Sequence, residues 1–397
     1  MIKRFRQSSI QVLAFLFFSG IADISTANPV KERFLNILTE HGLSNSTVKS
    51  MVMDKEGFLW VATDDGLNRF DGYTIEQIHY HSIDSNGLAH RGINQLLRDT
   101  NDNIWVLTKG PFLQMLNTED FTLTTVFDGY FEGNKVSIEK IVEENNRLWL
   151  LSNSHGLLNI DIDSYTVKKV QINSGFSFDA ITAIFRSEDE IWITNDQGQL
   201  IIYEVASGLY TSIDLSKYFG DNKEVRAIYK DDYHVYLGTL SDGLLIFNED
   251  FELLWEMKRG SGIHDLTSNM IADIEKDHLG RIWVASTIRG INIIDPETFM
   301  VKQIVKESIP YSISGEGITD IYKDDHENIW VSTYINGFNL WLGKEQKFVH
   351  LNLKKEWKGQ NAPAIVEDSE GNIWVANGGD LSKVSPDYNQ VIDYANL

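Results

Sequence analysis

The 397-residue sequence contains no cysteine and only six prolines. A chain without cysteine forms no disulfide and offers no thiol for catalysis, so its stability has to come from packing. Basic residues are also scarce: 35 lysines and arginines face 57 aspartates and glutamates, for a formal net charge of −22. Because contacts to phosphate need a basic surface, this balance argues against nucleic acid or an anionic membrane as a partner.

Long apolar runs are almost absent. One run, residues 10–21, follows a basic stretch at residues 3–6 and precedes small residues that end at Ala27. It is too short to span a bilayer comfortably and has the layout of a secretory signal. We therefore predict a signal peptide over residues 1–27 and a periplasmic protein after cleavage; an uncleaved anchor is the alternative. After Ala27 no second apolar stretch approaches 18 residues.

Aromatic residues make up 11% of the chain, and most tryptophans recur at a nearly fixed interval. Eight strand-like segments of the type NIWVST carry an aromatic anchor, and successive anchors are 43 to 47 residues apart. The anchors are Trp60, Trp105, Trp149, Trp192, Tyr236, Trp283, Trp330 and Trp374. A period of this length indicates a repeat architecture.

Each repeat has the same internal order. As in residues 48–80, a first alternating segment is followed by a turn and the tryptophan strand. A polar turn then leads to a third strand, which begins with glycine, and a fourth alternating segment ends the repeat. Alternation with period two between Gly, Asn and Asp turns is typical of antiparallel strands. We therefore predict an all-β fold, a β-propeller of four-stranded antiparallel blades, with about seven blades and eight detected repeats.

Two repeated residue types are interpreted as structural. The tryptophan lies on the second strand, where we expect it to pack between neighbouring blades. Five repeats also have an aspartate six residues before the anchor, and an aspartate there can accept hydrogen bonds from turn amides. These residues are Asp54, Asp99, Asp277, Asp324 and Asp368.

The consensus V-x-x-I-x-x-D-x-x-G-x-I-W-V-A-T-x-x-G-L-x-x-F-D is clearest in residues 42–74. It resembles the repeat of the two-component-regulator propeller family, over residues 32–397. Such repeats form the periplasmic sensor of membrane-bound regulators. In that family two seven-bladed propellers usually precede a small β-sandwich, a transmembrane helix and a cytoplasmic histidine kinase or diguanylate cyclase. The resemblance implies a small ligand, often a saccharide, a parent protein anchored in the inner membrane, and a homodimer formed through that receptor.

The number of blades leaves two arrangements open. Residues 34–38 (FLNIL) look like a fourth strand that would close the ring against the last blade. If seven blades close, residues 32–360 form the propeller and residues 361–397 begin a second one. If eight close, the last repeat is the eighth blade; we favour seven. Because no output domain follows the last repeat, we expect either a piece of a longer receptor or a free-standing propeller.

In a propeller of this strand order, the fourth-to-first and second-to-third connections share one face. Their residues vary between repeats while the strands do not, as expected for a binding face on a rigid scaffold. The polar and aromatic candidates on this face are His41, Asp64, Asp65, His90, Arg91, Lys109, His155, Asn195, Asp196, His264, Arg289, Tyr334 and Asn336. No metal-ligand spacing such as H-x-x-x-H occurs, so we expect no metal and no cofactor.

These observations favour a ligand-sensing module over an enzyme. A sialidase needs an arginine cluster, but only Arg91 and Arg289 fall on the candidate face. Quinone dehydrogenases place their tryptophan motif differently and hold calcium, and the chain has neither a G-x-S-x-G motif nor a phosphate loop. We therefore expect no catalytic site and a small polar or saccharide ligand. The alternative is a free periplasmic scaffold that binds another protein.

Overall fold

The computed structural model describes residues 32–80, 87–152, 155–170, 180–309, 311–341, 364–377, 380–385 and 391–394. The predicted signal peptide lies outside the described residues. The chain divides into two compact units, of which one is Glu32–Asn352 and the other contains the last repeat.

The first unit contains seven antiparallel four-stranded sheets, the blades. Blade 1 consists of β2 (Val48–Met53), β3 (Leu59–Thr63), β4 (Gly66–Phe70) and β5 (Ile75–Ile78). Blade 2 consists of β6 (Ile93–Arg98), β7 (Ile104–Thr108), β8 (Leu113–Leu116) and β9 (Leu123–Phe127). A hairpin, β10 (Tyr130–Phe131) and β11 (Asn134–Lys135), leads to blade 3, which is β12 (Ile138–Glu144), β13 (Arg147–Ser152), β14 (Gly156–Asp161), β15 (Val167–Lys169). Blade 4 consists of β16 (Ile181–Ser187), β17 (Glu190–Asn195), β18 (Gln199–Glu204) and β19 (Tyr210–Asp214). Blade 5 consists of β20 (Val225–Lys230), β21 (Val235–Thr239), β22 (Leu244–Phe247) and β23 (Leu253–Met257). Blade 6 is β24 (Ile271–Lys276), β25 (Ile282–Ser286), β26 (Ile291–Ile294), β27 (Val301–Ile304); blade 7 is β28 (Ile318–Lys323), β29 (Ile329–Thr333), β30 (Phe338–Trp341) and β1 (Phe34–Ile37).

The seven blades form a closed ring. The first strand of each blade contacts the first strand of the next around a central channel, and β28 of blade 7 contacts β2 of blade 1. The N-terminal strand β1 supplies the fourth strand of blade 7, because Phe34 pairs with Trp341 and Ile37 with Phe338. The predicted all-β propeller fold is confirmed.

The last repeat forms a four-stranded sheet of its own. Its strands are β31 (Ala364–Glu367), β32 (Ile373–Asn377), β33 (Asp380–Val384) and β34 (Val391–Tyr394). The first unit therefore closes as a ring without using this repeat. The exact boundaries at residues 360 and 361 stay predictions.

Each innermost strand departs from regular alternation at the same place. In blade 6 the register shifts between Ile271 and Asp273, and an equivalent shift occurs in the other six blades. This bulge lets Ile271 and Ile274, three residues apart, both point into the core, where they are 0% and 5% exposed. Ala272 and Asp273 between them line the channel.

The anchor aromatics pack between blades. The Trp60 ring lies 5.8 Å from Phe121 of blade 2, and the Trp105 ring lies 6.4 Å from Tyr165 of blade 3, both edge to face. Phe121 and Tyr165 occupy the same hairpin of their blades and both have left-handed backbone, at φ +62° and +54°. Burying a tryptophan this completely contributes several kcal/mol, at about 25 cal/mol per Å² of apolar surface.

The repeated aspartates hold both the first turn and the tryptophan. Asp277 accepts the Trp283 Nε1–H at 2.8 Å with one oxygen and the backbone N–H of Arg281 at 2.9 Å with the other. Asp54, Asp99, Asp324 and Asp368 make the same pair of bonds. Blades 3 to 5 substitute other acceptors: the Glu144 carbonyl for Trp149, the Glu190 carboxylate for Trp192 and the Asp231 carboxylate for Tyr236.

Candidate functional site

The two sets of connections chosen from the sequence lie on one face, which we call the loop face. In blade after blade, an N–H of the second-to-third connection donates to a carbonyl just before the first strand. Examples are Lys109 to Gly92 at 2.8 Å and Tyr334 to Gly317 at 2.8 Å. The side chains that follow these bonds are therefore held close to the channel mouth.

Glycines at the start of the third strand tie the loop face together. The Gly290 N–H donates to the Glu316 carbonyl at 2.6 Å, so blade 6 is bonded to the segment that leads into blade 7. Gly290 has φ +77°, and a Cβ there would lie 2.0 Å from the Ile304 carbonyl oxygen. Only glycine meets both requirements, which explains why the repeat begins its third strand with this residue.

Four side chains from blades 1, 2 and 7 meet at the channel mouth, and we call them the channel-mouth cluster: Lys49, Asp64, Lys109 and Tyr334. Lys109 Nζ lies 2.8 Å from Asp64 Oδ1, and Lys49 Nζ lies 5.0 Å from the centre of the Tyr334 ring. Burial lowers the pKa of Lys49, Asp64 opposes this change and Lys109 adds to it. The Tyr334 side chain is 55% exposed, so its ring remains available to a ligand.

Other predicted residues are placed on the loop face without joining this cluster. Arg91 Nε lies 3.4 Å from Asp65 Oδ1, and the side chains of both residues are largely exposed. His90 Nδ1 lies 3.1 Å from both the amide nitrogen and the carbonyl oxygen of Gly92. His41 accepts the Leu38 N–H at 2.9 Å within a short 3₁₀ turn. Arg289 and Asp196 are exposed.

The remaining predicted residues are engaged locally. Asn195 is fully buried and accepts the N–H groups of Gln197 and Gln199, so it closes its own turn. His264 packs against Trp255 at 4.9 Å. His155 lies 6.1 Å from the Phe131 ring, and the carbonyl of Asn336 accepts a hydrogen bond from Ser314. These contacts hold the loops, and none of them brings these residues to the cluster.

A cavity of about 620 Å³ occupies the channel. It is lined by the innermost strands and by turns on the face opposite the loop face, and none of the thirteen predicted residues lines it. Lys49 connects the two regions, since it both lines the cavity and contacts Tyr334. Sequence reasoning missed Lys49 because it concentrated on connections and treated the first strand as core.

The third residue of an innermost strand bonds to the next blade across the channel wall. The Ser50 hydroxyl accepts the Leu96 N–H at 3.2 Å. The Gln95 side chain bonds both the N–H and the carbonyl of Ile141 at 2.8 Å. Innermost strands are sheet edges with unpaired backbone groups, so these side chains satisfy groups that would otherwise be left open.

Blades 6 and 7 make the same bond with carboxylates. Asp273 Oδ2 accepts the Ile321 N–H at 2.9 Å, and Asp320 Oδ2 accepts the Met51 N–H at 3.2 Å. Burial raises the pKa of Asp320 well above its usual range, and the charge of Asp273 raises it further, whereas Lys140 lowers it. Burial also raises the pKa of Asp273. The sequence signal that could have found the two aspartates is a polar residue at this strand position in five blades: Ser50, Gln95, Lys140, Asp273 and Asp320.

Ion pairs close the far end of the cavity. Arg98 of blade 2 bonds Asp102 in its own turn and Asp325 of blade 7, with Nη1 2.7 Å from Asp325 Oδ2. Within the described parts of the chain, no group of three or more His, Cys, Asp or Glu side chains is arranged to hold a metal ion. No helix in the described segments is long and apolar enough to cross a membrane.

Comparison with known proteins recognises the repeat directly. The model of the family "two component regulator propeller" matches residues 42–65. Residues 42–65 are a two-component-regulator propeller repeat. The predicted resemblance to this propeller is thus confirmed at the first repeat, where the consensus is clearest.

Two solved structures share the propeller fold. The extracellular domain of the hybrid two-component system BT3049 from B. thetaiotaomicron has a TM-score of 0.67 at 21% identity, covering 92% of this chain and 49% of that chain. The extracellular domain of the one-component system BT4673 from the same organism has a TM-score of 0.64 at 20% identity, covering 91% and 47%. The present chain therefore spans about half the length of these solved chains.

A curated protein matches part of this chain in sequence. Histidine kinase P4 of Formosa agariphila is 36% identical over 81 residues, which are 20% of this chain and 6% of that protein. The match covers too little of either protein to transfer an activity.

Proposed function

We propose that this chain is the ligand-sensing propeller of a membrane-bound signal-transduction receptor, exported to the periplasm and binding a small polar or saccharide ligand. The observation that carries the proposal is the channel-mouth cluster, where an exposed aromatic ring and three charged side chains converge on the loop face of a rigid ring. The family repeat, the similarity to a histidine kinase and the fold of two extracellular domains support the sensor role.

The chemistry of the cluster suits a hydroxylated ligand. The open face of Tyr334 can pack against the C–H face of a sugar ring, while Asp64, Lys109 and Lys49 offer one acceptor group and two donors to its hydroxyls. A few polar groups placed around an aromatic surface are typical of small-molecule sites. Arg289 in the neighbouring blade would extend the site towards an acidic substituent.

The test is a thermal-shift screen of the full chain against neutral and acidic mono- and oligosaccharides. A ligand that binds only the folded state stabilises it, by about 2.7 kcal/mol at a hundredfold excess over Kd. We expect one saccharide class to raise the melting temperature. The variants Tyr334→Ala and Lys109→Ala should abolish this rise, and Arg289→Ala should reduce it.

Tyr233→Ala is the matched control, since Tyr233 is 73% exposed but lies in a first-to-second turn, on the face opposite the loop face. It should keep the full ligand-induced rise. If the rise survives in both Tyr334→Ala and Lys109→Ala, the ligand binds elsewhere and the assignment to this cluster is wrong. If no saccharide raises the melting temperature, the saccharide class is wrong.

We also propose that the last repeat begins a second propeller at about residue 361. Ile365 and Val366 of β31 are 64% and 61% exposed, whereas Ile321 and Met51 at the position equivalent to Ile365 are 4% and 2% exposed. A neighbouring blade covers that position in every blade of the ring. In the parent receptor we infer a histidine kinase as output, with a diguanylate cyclase as the alternative, and a homodimer formed through the receptor.

A second candidate function, a scaffold that binds another periplasmic protein, is favoured by an apolar strip beside the cluster. Ile288 and Ile335 occupy equivalent turns of blades 6 and 7 and are 54% and 63% exposed. A protein partner would bury both, and Ile288→Asp with Ile335→Asp would then abolish its stoichiometric binding. A saccharide-induced rise that survives these two substitutions would favour the sensor.

A further inference from the structure

The channel cavity lies between side chains of opposite charge. Lys140 of blade 3, Asp273 of blade 6 and Asp320 of blade 7 all line it, and each is the third residue of an innermost strand. Blades 6 and 7 are both three blades away from blade 3 around the ring, so the lysine lies across the channel from the two aspartates. The volume of about 620 Å³ is within the range of small-molecule sites, about 300–1,000 Å³.

The ring does not need a lysine at this strand position. Where the third residue bonds the next blade, it accepts an N–H, as Ser50 and Gln95 do, and an ammonium group has no acceptor. Blades 4 and 5 have alanine there, Ala183 and Ala227, so the ring also closes with a side chain that makes no such bond. The lysine of blade 3 therefore serves something other than the joint between blades.

The Lys140 ammonium faces the channel without a direct partner. Within the part of the chain that the structure describes, it makes no hydrogen bond and no ion pair. The side chain is partly buried, and an ammonium that loses hydration is costly unless another group replaces the water. Burial raises the pKa of Asp273 and of Asp320, whereas the charge of Lys140 lowers both, so these groups interact across the channel without contact.

The two aspartates offer more than the joint between blades requires. Asp273 Oδ2 accepts the Ile321 N–H at 2.9 Å, and Asp320 Oδ2 accepts the Met51 N–H at 3.2 Å. Each of these bonds uses one oxygen and favours the ionised carboxylate. A carboxylate can accept several hydrogen bonds at once, and its strongest partners are cationic donors such as an ammonium group.

We propose that the channel binds a small zwitterion, of the class of free α-amino acids and short peptides, with its carboxylate on Lys140 and its ammonium on Asp273 and Asp320. A ligand with a single charge would leave one wall of the channel without a partner, and a neutral sugar would leave both. The net charge of −22 also disfavours a simple anion, because the molecule as a whole repels it. This site is separate from the channel-mouth cluster and does not depend on the proposed saccharide.

The test is isothermal titration calorimetry of the full chain with the common α-amino acids, diglycine and triglycine. We expect at least one of them to bind. Its N-acetyl derivative, which lacks the ammonium, and its amide, which lacks the carboxylate, should each bind at least about tenfold more weakly, since each loses a charge-assisted bond. If none of these zwitterions binds, the cavity holds only water and the proposal is wrong.

Two variants assign the ends of the ligand. Lys140→Ala introduces the residue that blades 4 and 5 have at this position; it should weaken binding of the zwitterion about tenfold but bind the amide no more weakly than the wild type. Asp320→Asn keeps an oxygen that can accept the Met51 N–H. It should weaken binding of the zwitterion and the amide but not of the N-acetyl derivative. Asp273→Asn replaces it if Asp320→Asn does not fold.

Lys168→Ala is the matched control, because it removes the same charge from the exposed outer strand of blade 3 and should leave binding unchanged. Tyr334→Ala should also keep zwitterion binding, and Lys140→Ala should keep the saccharide-induced rise in melting temperature, so the two proposals fail separately. If Lys140→Ala binds the zwitterion as tightly as the wild type, or if both derivatives bind as tightly as the zwitterion, the ligand does not lie between these walls and the assignment is overturned.

Discussion

At the scale of single residues, the first turn of blades 1, 2, 6 and 7 depends on one carboxylate. Asp277 is 3% exposed and accepts bonds from the Trp283 indole, from the Arg281 side chain and from two turn amides. The anchor tryptophan is buried in every blade of the ring that has one, and its N–H needs an acceptor there. The aspartate satisfies that donor and shapes the turn at once.

We expect Asp277→Ala to lower the free energy of unfolding by about 2–3 kcal/mol, because it leaves the buried Trp283 N–H and the turn amides without an acceptor. Denaturant unfolding followed by circular dichroism measures this loss. In the Trp283→Phe background the same substitution should cost about 1 kcal/mol less, since phenylalanine has no N–H. Equal losses in both backgrounds would show that the indole bond contributes nothing, and Asp232→Ala should leave stability unchanged.

The sequence predicts the aspartate turns because their spacing from the tryptophan repeats. It does not predict the bond from the Ile321 N–H to Asp273, because these two residues lie 48 positions apart and meet only after neighbouring blades are placed side by side. The role of Asn195 was also hidden: its bonds to Gln197 and Gln199 are local, but a polar residue in a variable loop gives no sign of full burial.

At the scale of elements, the N-terminal strand β1 completes blade 7 and is held at its beginning by Glu32. The Glu32 carboxylate accepts bonds from Arg281 and Lys302 of blade 6, both at 3.0 Å, and from the Trp341 indole of blade 7 at 2.6 Å. Its side chain is 11% exposed. The start of the strand is thus fixed to two blades that are far from it in sequence.

Glu32→Gln should therefore loosen ring closure. Losing the charge weakens two charge-assisted bonds, and we expect unfolding to become easier by about 2 kcal/mol. Hydrogen exchange at β1 and β30 should accelerate more than exchange in blades 2 to 4. Glu40→Gln, in the exposed turn that follows β1, is the matched control and should change neither quantity. Uniform acceleration in all blades would contradict a local role for Glu32.

The four-strand order of the blades was predictable because each strand pairs with its neighbour in sequence. The FLNIL segment was recognisable as a lone strand that precedes the first repeat. What the repeats could not supply is the chemistry that fixes this strand, since the consensus specifies none of Arg281, Lys302 and Trp341.

At the scale of the whole molecule, the candidate face was predictable while the cavity was not. Strand order alone places the two sets of connections on one face, where Lys109 pairs with Asp64 and Tyr334 contacts Lys49. The channel, in contrast, is lined by residues that the alternation pattern assigns to a sheet edge. A bulge at the second residue of each innermost strand turns these residues towards the channel axis. Whether the thirteen candidates bind a ligand stays a prediction.

The net charge of −22 acts on the molecule as a whole. Like charges repel in the compact state, and this repulsion lowers stability at low ionic strength. Surface ion pairs such as Arg91 with Asp65 oppose it only weakly, since exposed pairs contribute about 0–1 kcal/mol each. The Debye length falls from about 30 Å at 0.01 M salt to about 3 Å at 1 M, so salt should remove the repulsion.

We therefore expect the melting temperature at pH 7 to rise by several degrees when sodium chloride is increased from about 10 mM to about 500 mM. Potassium and tetramethylammonium chloride at equal ionic strength should give the same rise, because screening does not depend on the cation. A rise with one cation alone would indicate specific binding instead. A constant or falling melting temperature would mean that ion pairs such as Arg98 with Asp325, which salt weakens, outweigh the repulsion between the acidic residues.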